Sequence, residues 1–301
     1  MVDNNKLQVS VLGATSLVGH CVLNCLVNSG YKVNAFSRKE TDEPLGEVNW
    51  LKLPVDSTAF ISNMIGKTPY MICVAPIWVL VDHFELLITL GVRRLVVLSS
   101  TSRYTKMESS NINEQRVAKR LVDAENTVEA WAKDNDIEWL ILRPTLIYGF
   151  GQDKNISEIS RIIGMFGFFP LISKGAGLRQ PVHVDDVANV CVAAICDSAV
   201  INRSYNIAGG QILTYREMVE EVFYAQGKRP RFILVPLMLF KILIKCIRLF
   251  SRYRHWTIDM VVRTNQDMLF DYADASLYLG FKPRKFKLSK KDVQLSGLKT
   301  F

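Results

Sequence analysis

Six short apolar runs punctuate the first half of the chain: Leu7–Leu12, Lys32–Ser37, Val48–Leu53, Tyr70–Ala75, Arg94–Ser99 and Glu138–Leu142. Most lack the strict polar alternation of a strand with one wet face, so they read as strands covered on both sides. Between them lie stretches of helical period, Val18–Ser29, Thr58–Ile65, Val79–Leu90 and Glu114–Asn135. Strands alternating with helices imply crossovers of one hand and a parallel sheet sandwiched by helices. The fold class is therefore α/β, a doubly wound parallel sheet. Pro144 ends the sixth run and the Gly149–Gly151 turn opens a less regular half. This predicts one domain over residues 1–146 and a smaller mixed lobe over 147–301, with the chain crossing back to the first domain.

Composition narrows the class further. With 49% hydrophobic and 22% charged residues the chain buries a core and is not disordered. Its 17 Gly, 10 Pro and 6 Cys exclude a collagen-like or disulfide-stapled protein. Cys21, Cys25, Cys73, Cys191, Cys196 and Cys246 form no metal-binding spacing and sit among apolar neighbours, as reduced core thiols do. His20, His83, His183 and His255 are equally scattered, so no metal site is expected. The polar start Met1–Lys6 and the short run after it do not make a signal-peptide core, which predicts a cytoplasmic protein. The net charge of +8 permits phosphate or anionic-lipid contact, while no nucleic-acid-reading motif is present.

The first run leads into Gly13-Ala14-Thr15-Ser16-Leu17-Val18-Gly19 and then a helical pattern. A strand, a tight turn and a helix N-terminus aim backbone N–H groups and the helix dipole at a pyrophosphate, the Rossmann arrangement. Gly13 permits the turn and Gly19 close helix–strand packing; Thr15, Ser16, Leu17 and Val18 line the phosphate site, with Ser16 where the motif usually has glycine. Arg38, after the second run, suits a ribose 2′-phosphate and favours NADP over NAD. Asp56 is placed either at the adenine edge or as a helix cap, and Ala75, Pro76 and Pro144 border the cofactor.

Further motifs follow in order: Ser99-Ser100-Thr101-Ser102-Arg103-Tyr104, Leu142–Gly149, Pro181–Ala188, Tyr205–Gly210 and Leu279–Pro283. Together with Gly13–Gly19 they resemble the extended short-chain dehydrogenase/reductases of the NAD-dependent epimerase/dehydratase type, over nearly the whole chain. The resemblance implies an NAD(P)-binding domain, a C-terminal substrate lobe that often takes a nucleotide sugar, and a catalytic hydroxyl at Ser100. It also implies that Arg179 and Arg263 meet a substrate diphosphate; the alternative is two salt bridges, Arg179 with Asp185 or Asp186 and Arg263 with Asp267. Members of the family are commonly dimers.

One departure from the pattern is decisive for chemistry. The family's Tyr-x-x-x-Lys pair should fall on the helix after Tyr104, and counting back through Glu125 puts Val117 and Leu121 there. Tyr104, Lys119 and Lys106 are the remaining acid–base candidates by location. Two functions stay open: an atypical NAD(P)-dependent oxidoreductase or epimerase, acting on a nucleoside-diphosphate sugar or on a polyprenyl-linked or apolar molecule, and a catalytically silent dinucleotide-binding protein.

Three segments add surface expectations. Residues 232–252 are apolar apart from a stripe of Lys241, Lys245, Arg248 and Arg252, read either as a lobe-packing helix or as peripheral membrane contact. Phe166–Pro170 either floors a pocket or plugs the core. The basic stretch Lys282–Lys291 reads as a solvated tail, or one that faces anionic lipid.

Overall fold

The computed structural model describes residues 7–38, 48–53, 65–196, 200–236 and 263–294. The predicted helix at 58–65 (all but its last residue), Asp56, and most of the 232–252 segment lie outside these residues.

A seven-stranded parallel sheet forms the centre. Its strands are β1 (Gln8–Leu12), β2 (Lys32–Ser37), β3 (Val48–Lys52), β4 (Tyr70–Cys73), β5 (Arg94–Leu98), β6 (Glu138–Pro144) and β11 (Arg203–Ile207). They lie in the order β11-β6-β5-β4-β1-β2-β3. The sheet grows one way from β1 and the other way from β4, so the strand order reverses between these two neighbours. This confirms the doubly wound α/β class. β11 was not anticipated as a strand, because Arg203-Ser204-Tyr205-Asn206-Ile207 is not the apolar run of its neighbours.

Period-2 alternation sends side chains to two cores. Val9, Val11, Val96 and Leu98 pack on α1 (Leu17–Asn28) and on the helix Val184–Cys196. Leu12, Phe36, Leu95 and Val97 face the opposite layer. That layer comprises α2 (Ile77–Val81), α3 (Phe84–Leu90) and, beyond the single turn α4 (Ser102–Thr105), the long helix α5 (Ile112–Asp134). The sequence predicted one helix over 79–90, but the chain breaks at Asp82-His83. Buried Leu80 and Leu86 are six residues apart, a spacing that an unbroken helix of 3.6 residues per turn would put on different faces.

The C-terminal lobe has its own core of Tyr148, Ile159, Phe169, Val222 and Phe223. The chain here runs through β7 (Ile147–Tyr148), α6 (Ile156–Phe166), β8 (Phe169–Ile172), β9 (Leu178–Arg179) and β10 (Val182–His183), then returns to the central sheet as α7, the Val184–Cys196 helix. After β11 follow β12 (Leu213–Thr214), α8 (Tyr215–Ala225), β13 (Phe232–Val235), α9 (Ala273–Leu279) and α10 (Lys290–Val293). Of the aromatic cluster, Phe169 enters the core while Phe166 stands exposed. The stretch after Phe281 is no solvated tail: Phe286 and Leu288 are buried, and Asp186 accepts from the Arg284 backbone and side chain. Cys21, Cys25, Cys73 and Cys191 are free thiols, and burial pushes Cys21 and Cys73 up to about 12. Among the described residues no helix is long and apolar enough to cross a membrane.

Candidate functional site

The reversal of strand order leaves a crevice beyond the carboxyl ends of β1 and β4, where ligands of such sheets bind. The turn from β1 to α1 forms one wall. Gly13 has φ +87°, and a Cβ there would collide with the Ala75 backbone; a Cβ on Gly19 would collide with the carbonyl oxygens of Gly13 and Ala14. Neither position therefore admits a side chain. Ser16 caps α1, its Oγ accepting from the Gly19 N–H at 3.0 Å, which leaves the hydroxyl proton free to donate. The N–H groups of Leu17 and Val18 have no acceptor within the helix, and the first turn carries no acidic residue. This end of α1 fits an anionic phosphate.

The neighbouring strand ends complete the crevice. Ala75 donates its N–H to Leu12, and Pro76, exposed, opens α2. Ser100 follows β5, and Thr101 bonds through both N–H and hydroxyl to the Pro144 carbonyl, which ties the ends of β5 and β6 together. Ser100 Oγ accepts from the Ser102 N–H at 3.1 Å and keeps its own proton for another acceptor. Arg38 is exposed just beyond β2.

Beneath this rim lies an ion cluster the sequence did not announce. Glu125 on α5 is completely buried, and it accepts from Ser99, Arg103 and Arg143. Burial first, then the neighbouring Arg143 charge, push Arg103 downward. Arg143 reaches on to Tyr104, donating from Nη1 to the phenolic oxygen at 2.9 Å. The Tyr104 ring, part-exposed, stands 6.0 Å from that of Phe270 in the C-terminal lobe. The readable signal was a glutamate on the apolar stripe Leu121, Ala124, Val128, Ala132, where a charge requires cationic partners.

Other expected site residues are placed differently. Val117 and Leu121 do occupy α5, Leu121 in the core and Val117 exposed. Lys119 is exposed, about 200° around the helix from either position, since each residue turns roughly 100°. It is therefore not on the face that meets the sheet. Lys106, lowered chiefly by burial, lies beside Glu114 and Arg263. Arg263 makes a two-pronged ion pair with Glu114, and Arg179 is buried with its guanidinium on the carbonyls of Leu178, Gln266 and Arg263. Both guanidiniums are thus engaged by protein groups, and neither forms the salt bridge given as the alternative. Asp267 instead accepts from the Leu178 N–H.

Comparison with known proteins agrees with this architecture. Residues 79–208 match the model of the NAD dependent epimerase/dehydratase family. UDP-glucose 4-epimerase of Vibrio cholerae is 26% identical over 202 residues, 64% of this chain and 59% of that protein. NADH dehydrogenase (ubiquinone) 1 alpha subcomplex subunit 9, mitochondrial, of Arabidopsis thaliana is 31% identical over 105 residues, 35% of this chain and 26% of that one. The chain thus spans 59% or less of the length of these curated relatives. A UDP-glucose 4-epimerase from Thermotoga maritima, solved with UDP-glucose, superposes with a TM-score of 0.67 at 16% identity, covering 96% of this chain and 97% of that one. A UDP-N-acetylglucosamine 4-epimerase from Bacillus cereus gives 0.68 at 16% identity, covering 96% and 94%. At such identity the structures share the fold. The resemblance read from the motifs holds, in sequence over residues 79–208 and in fold over nearly the whole chain.

Proposed function

For a chain that resembles the NAD-dependent epimerases and dehydratases in this way, we propose binding of a nicotinamide dinucleotide at the β1–α1 turn and hydride exchange with a small molecule. The observation that carries the reading is the turn itself. Gly13 and Gly19 sit where a side chain has no room, and an acid-free helix end faces the crevice at the reversal of strand order. The dinucleotide, when bound, supplies the hydride chemistry at a hydroxyl or carbonyl carbon. Ser100 hydrogen-bonds to the substrate oxygen and stays protonated. Tyr104 transfers the single proton of that oxygen, and Arg143, which donates to the phenolic oxygen, meets the charge left there.

Arg38, exposed at the end of β2, supports NADP(H) over NAD(H). Two substrate classes fit the relatives and the sequence: a nucleoside-diphosphate sugar, and a polyprenyl-linked or apolar molecule. The engagement of Arg179 and Arg263 inside the lobe favours the second. Val117 and Leu121, which cannot transfer a proton, favour another reading, a silent dinucleotide-binding protein of the same fold. A cytoplasmic setting and a homodimer accord with both.

Calorimetric titration with NAD⁺, NADH, NADP⁺ and NADPH tests the shared premise. Micromolar binding with preference for the phosphorylated pair is the expected result; binding of none of the four would overturn both readings. Turnover of the bound cofactor with a substrate panel then separates them. In the enzyme, Ser100→Ala abolishes turnover and leaves nucleotide binding intact.

A further inference from the structure

Two stretches of this chain contain no Asp or Glu: residues 159–184, and residues 222–258, which carry Lys228, Arg229 and Arg231 and further cations to Arg254. The parallel pairing of β8 with β13, Phe169 opposite Phe232, brings residues 169–172 and 232–235 side by side. Two strands without carboxylates thus lie together on the C-terminal lobe.

That face is also apolar. Ile233 and Leu234 are 48% and 61% exposed, and Met165 and Phe166, at the end of α6, are 61% and 58% exposed. Successive strand residues point to opposite faces, so exposure of both Ile233 and Leu234 means that this strand stands out from the lobe. The core beneath it is closed by Phe169 and Leu171 on the other strand. Arg229, Arg231 and Lys174, all exposed, flank the apolar side chains. Large apolar side chains grouped on a surface and rimmed by charge mark an interaction site.

The charge decides between occupants. A second copy docking by a two-fold axis would set Lys174, Arg229 and Arg231 against themselves, with no acidic residue on β8 or β13 to pair with them; Glu220 of α8 is already held by Arg216, which lies over Phe232. An anionic bilayer supplies both complements, phosphates for Arg229 and Arg231 and an apolar layer for Ile233, Leu234 and Phe166. We propose that the β13 strand and the end of α6 form a docking surface for an anionic phospholipid membrane, independent of the chemistry in the crevice.

Flotation of the full chain with phosphatidylserine/phosphatidylcholine vesicles, against phosphatidylcholine alone, tests this. Binding to the anionic vesicles only, weakening as salt rises, is expected. The double variant Arg229→Glu/Arg231→Glu, and separately Leu234→Glu, should each lower partitioning about tenfold or more. Arg93→Glu, at an exposed cation just before β5, should change it less than about twofold. Hydrogen exchange on the unaltered protein adds a readout free of folding effects: residues 165–166 and 229–235 should gain protection when anionic vesicles are added. Absence of vesicle binding overturns the proposal, as does partitioning that ignores both face variants, or protection that appears elsewhere. Lipid-free self-association abolished by the same variants would assign the face to a second copy and equally overturn it.

Discussion

Glu125 is the residue on which the most charge converges. Taking a carboxylate out of water costs several kcal/mol, and here Ser99, Arg103 and Arg143 offset that cost with hydrogen bonds and opposite charge. Removing the carboxylate strands two largely buried guanidiniums, so Glu125→Ala should lower stability by about 3–5 kcal/mol, read from urea denaturation. A loss under about 1 kcal/mol would show that water solvates the arginines. Tyr104 hangs from the same cluster yet is part-exposed, so Tyr104→Phe should leave stability nearly unchanged. If Tyr104 moves the proton, that variant should lose about 10²–10⁴-fold in turnover, with binding of the dinucleotide unaltered. At this scale the sequence was a partial guide. The turn glycines were legible because backbone geometry alone demands them, whereas Ser100 was pointed to only by the family resemblance. The partners that Arg179 and Arg263 take inside the protein, three carbonyls and a distant glutamate, leave no trace in local spacing.

Among the elements, α1 is the one whose start matters chemically. Gly19→Ala places a methyl group against the Gly13 and Ala14 carbonyls, so the helix must back away from β1. If the start of α1 holds the dinucleotide phosphate as proposed, calorimetry on that variant should find affinity reduced by about tenfold or more, because the site would depend on that close approach. A far less chemical end is that of α8, where Thr214 and Glu217 form a reciprocal capping box. Thr214→Ala should cost about 1 kcal/mol in a thermal melt and leave nucleotide binding alone. The long strands were legible because two-sided burial writes itself as apolar runs. The break at Asp82-His83 was hidden, because the apolar residues of 77–90 look continuous until the buried ones are known. The strands β7, β9, β10 and β12, two residues each, are too short to carry any period.

At the scale of the whole molecule, the C-terminal residues are fastened through Asp292. Burial works to raise its carboxyl, but His183, the Ser289 hydroxyl and backbone, and the Phe150 N–H together hold it well below the usual carboxylate range. A depressed folded value adds stability above the unfolded value of about 3.9, and that contribution is lost as pH falls from there toward the folded value. Urea melts at about pH 6 and about pH 3 should therefore show a larger drop for the natural protein than for Asp292→Asn. Equal drops would mean that the carboxylate contributes nothing. Such long-range fastenings leave no mark in local sequence, because His183, Phe150 and Asp292 are brought together only by the fold.

The place of β11 has a consequence in time. It pairs along β6 at the margin of the central sheet, yet it leaves the ribosome some sixty residues later than its partner. At about 5–20 residues per second, β6 waits for seconds with an open row of peptide groups. The nascent chain is then most exposed to pairing with a neighbour on the same message, and that interval closes only when Arg203–Ile207 has been made.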